Sequence, residues 1–412
     1  MKSIFRSLRH RNFRLYFIGQ GTSVGGTWMQ SIAMGWLAYR LTGSKTMFGV
    51  VGCTSQMLTF FLAPLAGILA DRWNRRRTLV AAQSLAMVQA VVLGALTVTG
   101  HISVPLLIVL SVFTGMVRGF EVPMRQSFLY EMVGKAEDLP NAIALNSFLV
   151  NTARLVGPLA AGFLVEWTGE GVVFLINGLT YLAVIAALLA MRVPVRPKVE
   201  RPMRIFHEIG EGLRYTFGSR QFRPILLMLA VTSLAGIPYM WLMPVFAKEV
   251  LGGGPSTLGY LKAAEAVGAL VGAVFLASRR SFHRMGRLLR LAALAFGAGL
   301  VAFSFSDQLW LSLVLLAWPG AAMILQVSSS NTLLQTLADE DKRGRVMSCY
   351  AMMFMGMIPF GNLLAGVMAD LVGAPTTVMI GGSICILGAL ILGPYLPNLG
   401  DHVSPREEAV AA

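Results

Sequence analysis

Arg118, Glu121 and Arg125 stand three and seven positions apart inside an otherwise apolar run. On a helix that spacing puts all three on one face. Arg154 lies inside the next apolar run. If the first run starts at Val104 and the second ends at Thr168, both Arg118 and Arg154 are 14 residues in, about 21 Å at helical rise. They then sit at similar depth on consecutive antiparallel helices, with Glu121 one turn from Arg118. Charge inside a membrane span is expensive and tends to mark function. A carboxylate beside arginines can act as a proton switch, and arginines can anchor an anion. A buried ion network that only fixes helix packing explains the same residues equally well. A second pair, Lys262 and Glu265, is one turn apart in a later run. The simpler reading there is a local ion pair, with Glu265 as a second proton candidate.

Other chemistries find no residues to carry them. The sequence has no Gly-rich phosphate loop, which argues against coupling to ATP. The five histidines do not cluster, and Cys53, Cys349 and Cys385 lie singly in apolar runs. That spacing suits neither a disulfide framework nor a metal site. No catalytic residue, metal or cofactor is expected, and the chain is not read as an enzyme.

Helices must position these charges. The 412 residues are 55% hydrophobic and 13% charged, too little charge for a soluble surface of this size. Apolar runs long enough for a bilayer recur along the chain. Twelve are expected, at 13–41, 47–70, 78–99, 104–132, 139–168, 172–191, 224–250, 258–278, 288–305, 309–337, 346–371 and 376–396. The fold class is therefore all-α integral membrane with 12 transmembrane helices. The basic start leads into a run too long for a signal peptide, so no cleavable leader is expected.

Of the 34 basic residues, 27 fall in or beside alternate loops that begin with the N-terminus. Only Arg40, Lys45 and Lys248 fall in the opposite loops. That asymmetry puts both termini in the cytoplasm. The net charge of +14 is spread over those loops rather than gathered in one basic domain, which argues for anionic lipid and against nucleic acid.

The chain repeats itself. Shifted by 204, residues 157–169 meet 361–373, with Gly157/Gly361, Leu159/Leu363, Ala161/Ala365, Gly162/Gly366 and Gly169/Gly373 identical. Span 5 therefore corresponds to span 11. The expected organisation is a first six-helix half at 1–191, a cytoplasmic linker at 192–223, a second half at 224–396 and a tail at 397–412.

At 63–77 an apolar helix end runs into one acid and four arginines, APLAGILADRWNRRR. The order Gly67-Ile-Leu69-Ala70-Asp71-Arg72-x-x-Arg75-Arg76 resembles the loop between helices 2 and 3 of the major facilitator superfamily. The stretch at 123–162, with RNFRLYFIGQ at 11–20 and WMQSIAMGWLAYRLTGS at 28–44, is similar to the drug:proton antiporter branch that includes enterobactin-exporter and macrolide-efflux proteins. The resemblance implies the major facilitator fold, two six-helix halves with a cargo site between them. It also implies a cytoplasmic gate made by Gly67, Asp71, Arg72, Arg75 and Glu131. Arg154 falls on an arginine that such exporters carry. Gly157, Pro158 and Gly162 resemble the Gly-Pro motif of superfamily antiporters, where proline can kink the helix and small residues permit close crossing.

Spans 1, 4, 7 and 10 line the cavity in that superfamily, so Gln20, Trp28 and Gln30, Tyr239 and Trp241, and Gln326, Ser329 and Asn331 join the site candidates. Pro238, Pro244, Pro319 and Pro359 are places where helices could bend. The expected function is secondary active transport: proton-coupled export of amphipathic small molecules, drug-like or siderophore-like, by alternating access. The rivals are a lipid or lysophospholipid translocator and a non-transporting scaffold or receptor of the same fold. The expected partners are a small-molecule substrate, protons and membrane lipid, with a monomer in the bacterial cytoplasmic membrane and the proton gradient as energy source.

Overall fold

Inside a bilayer each backbone N–H and C=O must find a partner within its own segment, so long apolar runs become helices. The computed structural model describes residues 6–133, 136–192, 214–279, 284–340 and 342–397, and for 63–72, 127, 130 and 136 the backbone alone. The first six helices are α1 (Arg11–Thr42), α2 (Lys45–Arg72), α3 (Arg75–Val98), α4 (Val104–Val133), α5 (Leu139–Thr168) and α6 (Glu170–Ala190). The second six are α7 (Phe222–Val250), α8 (Pro255–Ala277), α9 (Met285–Ser304), α10 (Leu309–Leu337), α11 (Arg343–Val372) and α12 (Ala374–Leu392). No strand occurs among the described residues. Ten of these helices are long and apolar enough to cross a membrane. α1 is 32 residues long but is interrupted by polar side chains such as Asn12, Gln20 and Gln30. α2 has 28 residues, its side chains described only to residue 62. Phe148, Leu179, Val314 and Leu371 are each at least 65% exposed, as lipid-facing side chains are.

Prolines bend some helices and not others. α7 loosens to π-helical turns at Thr232–Gly236 and Phe246–Val250, on either side of Pro238 and Pro244. α11 breaks after Met355 and restarts at Ile358, with Pro359 in its first turn. α10 runs unbroken through Pro319.

The repeat is visible in the packing. α3 lies on α4 and α6, and α9 lies on α10 and α12. A Cβ at Gly157 would meet Trp28 Cβ of α1 at 2.7 Å, and one at Gly361 would meet Pro238 Cγ of α7 at 2.7 Å. The matched glycines therefore bring span 5 onto span 1 and span 11 onto span 7. Gly169 and Gly373 end α5 and α11 with φ/ψ of 82/166° and 85/157°, a backbone that favours glycine. This explains why both repeats keep it.

Packing divides the chain into two compact units, Met1–Arg201 with Met243–Ala263, and Pro202–Leu242 with Ala264–Ala412. In the first, the end of α7 is tied to α1 and α2: Tyr39 Oη donates to Glu249, and Lys45 Nζ is 2.8 Å from Glu249 Oε2. Gly162 packs against the start of α8, where a Cβ would lie 2.8 Å from the Pro255 carbonyl. Most of the expected linker, at 193–213, and the tail from 398 lie outside the described residues.

Candidate functional site

The first unit lines a half-open cavity of about 240 Å³. α1 contributes Gln20, Ser23, Thr27, Trp28 and Ser31; α3 contributes Gln83; α6 contributes Tyr181. The charged face of α4, Arg118, Glu121 and Arg125, opens onto it. The helical spacing delivers that face as the sequence implies. Small residues let the walls close: a Cβ at Gly26 would strike Thr180 Oγ1 of α6 at 2.6 Å.

The α4 charges are not equivalent. Arg125 Nε lies 2.8 Å from Glu121 Oε1, but its N–H is not directed along a hydrogen bond, so the contact is an ion pair. Gln83 Nε2 donates to the same oxygen at 3.4 Å. Tyr16 stands beside Arg125 and donates to Asn146 Oδ1 at 3.1 Å. Arg118, half-buried, makes no ion pair or hydrogen bond with any described residue. Arg154 is outside the cavity lining, with its guanidinium 5.9 Å from the centre of the Trp28 ring. The expected Arg118–Glu121–Arg154 cluster is thus resolved into a Glu121–Arg125 pair, an unengaged Arg118 and an Arg154 behind Trp28.

The other sequence candidates scatter. Gln20 lines the cavity. Gln30 does not: it donates to Gln89 Oε1 at 3.0 Å and accepts from Asn177 Nδ2 at 2.5 Å, deep between α1, α3 and α6. Tyr239 is buried against Phe296. Gln326 donates to Thr232 Oγ1 at 2.6 Å, on the first π-turn of α7. Asn331 accepts from Gln335 at 2.6 Å. On α8, Lys262 is half-buried and Glu265 fully buried, one turn apart. Gln83 and Tyr181 join the site although sequence reasoning did not select them. Gln83 carried a signal, an amide in the middle of an apolar run, while Tyr181 carried none.

Replacing Gln30 by leucine tests whether that residue is structural. It would strip partners from two buried amides, Gln89 and Asn177, and unmade buried hydrogen bonds cost about 1–3 kcal/mol each. The expected result is a clear drop in the melting temperature of the detergent-solubilised protein, with the cargo preference of the surviving fraction unchanged.

At the turn between α2 and α3, Asn74 caps α3 by accepting from Arg77 N at 3.0 Å. Arg75 Nη1 is 2.6 Å from Glu131 Oε1. Arg76 donates to the Leu188 and Leu189 carbonyls at 2.7 and 2.6 Å, at the C-terminus of α6. Arg75 and Glu131 of the expected gate are therefore joined. The side chains of Asp71 and Arg72, with Gly67, lie outside the described residues.

Residues 2–406 match a family model described as transmembrane secretion effector. The chain belongs to the major facilitator superfamily of transporters. The transporter is 23% identical to the staphyloferrin A transporter of Staphylococcus aureus, over 88% of this chain and 91% of that protein. It is 24% identical to the multidrug efflux pump Tap of Mycolicibacterium fortuitum, over 92% and 94%. Its fold matches the crystal structure of a bacterial homologue of the human lysosomal transporter Spinster in an inward-facing, unoccupied conformation, with TM-score 0.76, 15% identity and coverage of 96% and 99%. It matches a D-xylose–proton symporter with TM-score 0.70, 16% identity and coverage of 97% and 99%. The transporter is thus a multi-pass membrane protein that moves small molecules and not an enzyme.

Proposed function

We propose that the transporter is a proton-coupled exporter of amphipathic small molecules, working by alternating access in a bacterial cytoplasmic membrane with both termini in the cytoplasm. The observation that carries this reading is the Glu121–Arg125 pair on the wall of a largely apolar cavity. A carboxylate paired to a cation in such a place can exchange that partner for a proton as the cavity changes sides. Glu265 is the second candidate for the same task. The relatives named for siderophore transport and multidrug efflux support amphipathic cargo. In this reading Gly67, Asp71, Arg72, Arg75 and Glu131 form the cytoplasmic gate, and the protein acts as a monomer surrounded by lipid.

The test is transport by the purified protein in proteoliposomes, against a panel of dyes, drugs, siderophores and lysolipids, with and without a pH gradient. At least one amphipathic cargo should accumulate only when the gradient is imposed. Accumulation independent of the gradient overturns proton coupling, and movement of lysolipids alone makes the protein a lipid translocator.

A further inference from the structure

We propose that Arg118 is the anchor for a carboxylate on the cargo, so that the cavity selects amphiphiles carrying a single negative charge. The inference deepens the transporter reading and rests on it. Several other cations on the first unit's helices have evident roles, while Arg11, Arg14 and Arg77 are simply exposed. Arg125 is paired with Glu121, Arg75 with Glu131 and Arg40 with Glu170, at 2.8, 2.6 and 2.8 Å. Arg76 caps α6, and Arg154 stacks over Trp28. Arg118 stands in mid-helix on α4, far from either terminus, so it caps nothing. It faces the cavity and engages no described residue.

A guanidinium held in a membrane span without a counter-charge is costly, and an arriving anion removes that cost. Its fork of N–H donors matches the two oxygens of a carboxylate. The charge count narrows the ligand. With Glu121 ionised, Arg118, Glu121 and Arg125 sum to one positive charge, which one carboxylate cancels and a doubly charged phosphate overshoots. A loaded cavity of zero net charge is also the form least opposed by the low-dielectric surroundings. The cavity is half-open, so a charged head can seat at Arg118 without the whole apolar stem having to fit inside. Trp28 supplies an apolar wall, with Thr27 and Ser31 as neighbouring hydroxyls.

The experiment titrates the purified full-length protein in detergent with three fluorescent probes: 11-(dansylamino)undecanoate, its methyl ester and the corresponding alkyl phosphate. The carboxylate should bind about tenfold or more tighter than the ester, as one charge-assisted contact provides. Arg118→Gln should bring that ratio to about one, and Arg118→Lys should restore part of it. Equal affinity for acid and ester in the parent overturns the proposal, as does a ratio unchanged in Arg118→Gln. Tighter binding of the phosphate than of the carboxylate also overturns it, in favour of a phosphate headgroup. If Arg118→Gln does not fold, the parent's ratio and that of Arg118→Lys still decide. The readout is binding without a gradient, so its failure is distinct from a failure of proton coupling.

Discussion

Glu121→Gln is expected to abolish accumulation driven by a pH gradient while leaving exchange of cargo at equal pH. The parent, if it exchanges one proton per cargo, can support about a tenfold concentration ratio for each pH unit, apart from the membrane-potential term. The variant should reach a ratio of about one. Glutamine keeps the size of the side chain and its reach to Gln83, which now donates at 3.4 Å, but it cannot give up or take a proton. It also leaves Arg125 without its counter-charge. Because removing one partner of a buried pair costs about 3–5 kcal/mol, unfolding must be measured beside transport. Glu121→Asp keeps the charge and serves as the control: it should retain gradient-driven accumulation at reduced rate. Inverted vesicles with an imposed gradient, run beside equal-pH exchange, separate coupling from binding. Full accumulation by Glu121→Gln would transfer the coupling role to Glu265 or to an ion other than the proton.

Much of the frame that holds this site is readable from the sequence. The limits of α5 and α10 agree with the ends of their apolar runs, because lipid leaves a long apolar segment no alternative to a helix. The glycines shared by spans 5 and 11 also carry their packing, since each permits a close helix approach. The selection of partners is harder to read. Arg118, Arg125 and Arg154 are chemically alike, and spacing along one helix does not say which of them meets Glu121. That is decided by side chains from other helices, Gln83 from α3 and Tyr16 from α1. The same is true of Gln20 and Gln30. Both are amides on α1, yet one faces the cavity and the other is consumed by Gln89 and Asn177. Periodicity finds the face; only packing finds the partner.

Exchanging the charges of Arg75 and Glu131 is expected to recover the stability and part of the transport that either single alanine change removes. Arg75 is the first residue of α3, and Glu131 lies in the last turn of α4. A cation at a helix N-terminus and an anion at a C-terminus both oppose the helix dipole, by about 0.3–1 kcal/mol each. The pair is nevertheless close, at 2.6 Å, with the side chains only 17% and 11% exposed. In contact, each charge also meets the favourable end of the partner's helix, so the dipole contributions largely offset and the ion pair itself holds the two helix ends. Arg75→Ala or Glu131→Ala alone strands a largely buried charge and should cost about 3–5 kcal/mol, with loss of transport. The double variant Arg75→Glu with Glu131→Arg restores the pair with its signs exchanged. It should regain most of the about 3–5 kcal/mol and melt near the parent, with transport restored in part. Thermal unfolding in detergent and initial rates in proteoliposomes measure the two effects. A swap no more stable than the single alanine variants shows that other partners of Arg75 and Glu131 carry the stability. One that melts like the parent but moves no cargo shows that the gate needs the positive charge on α3.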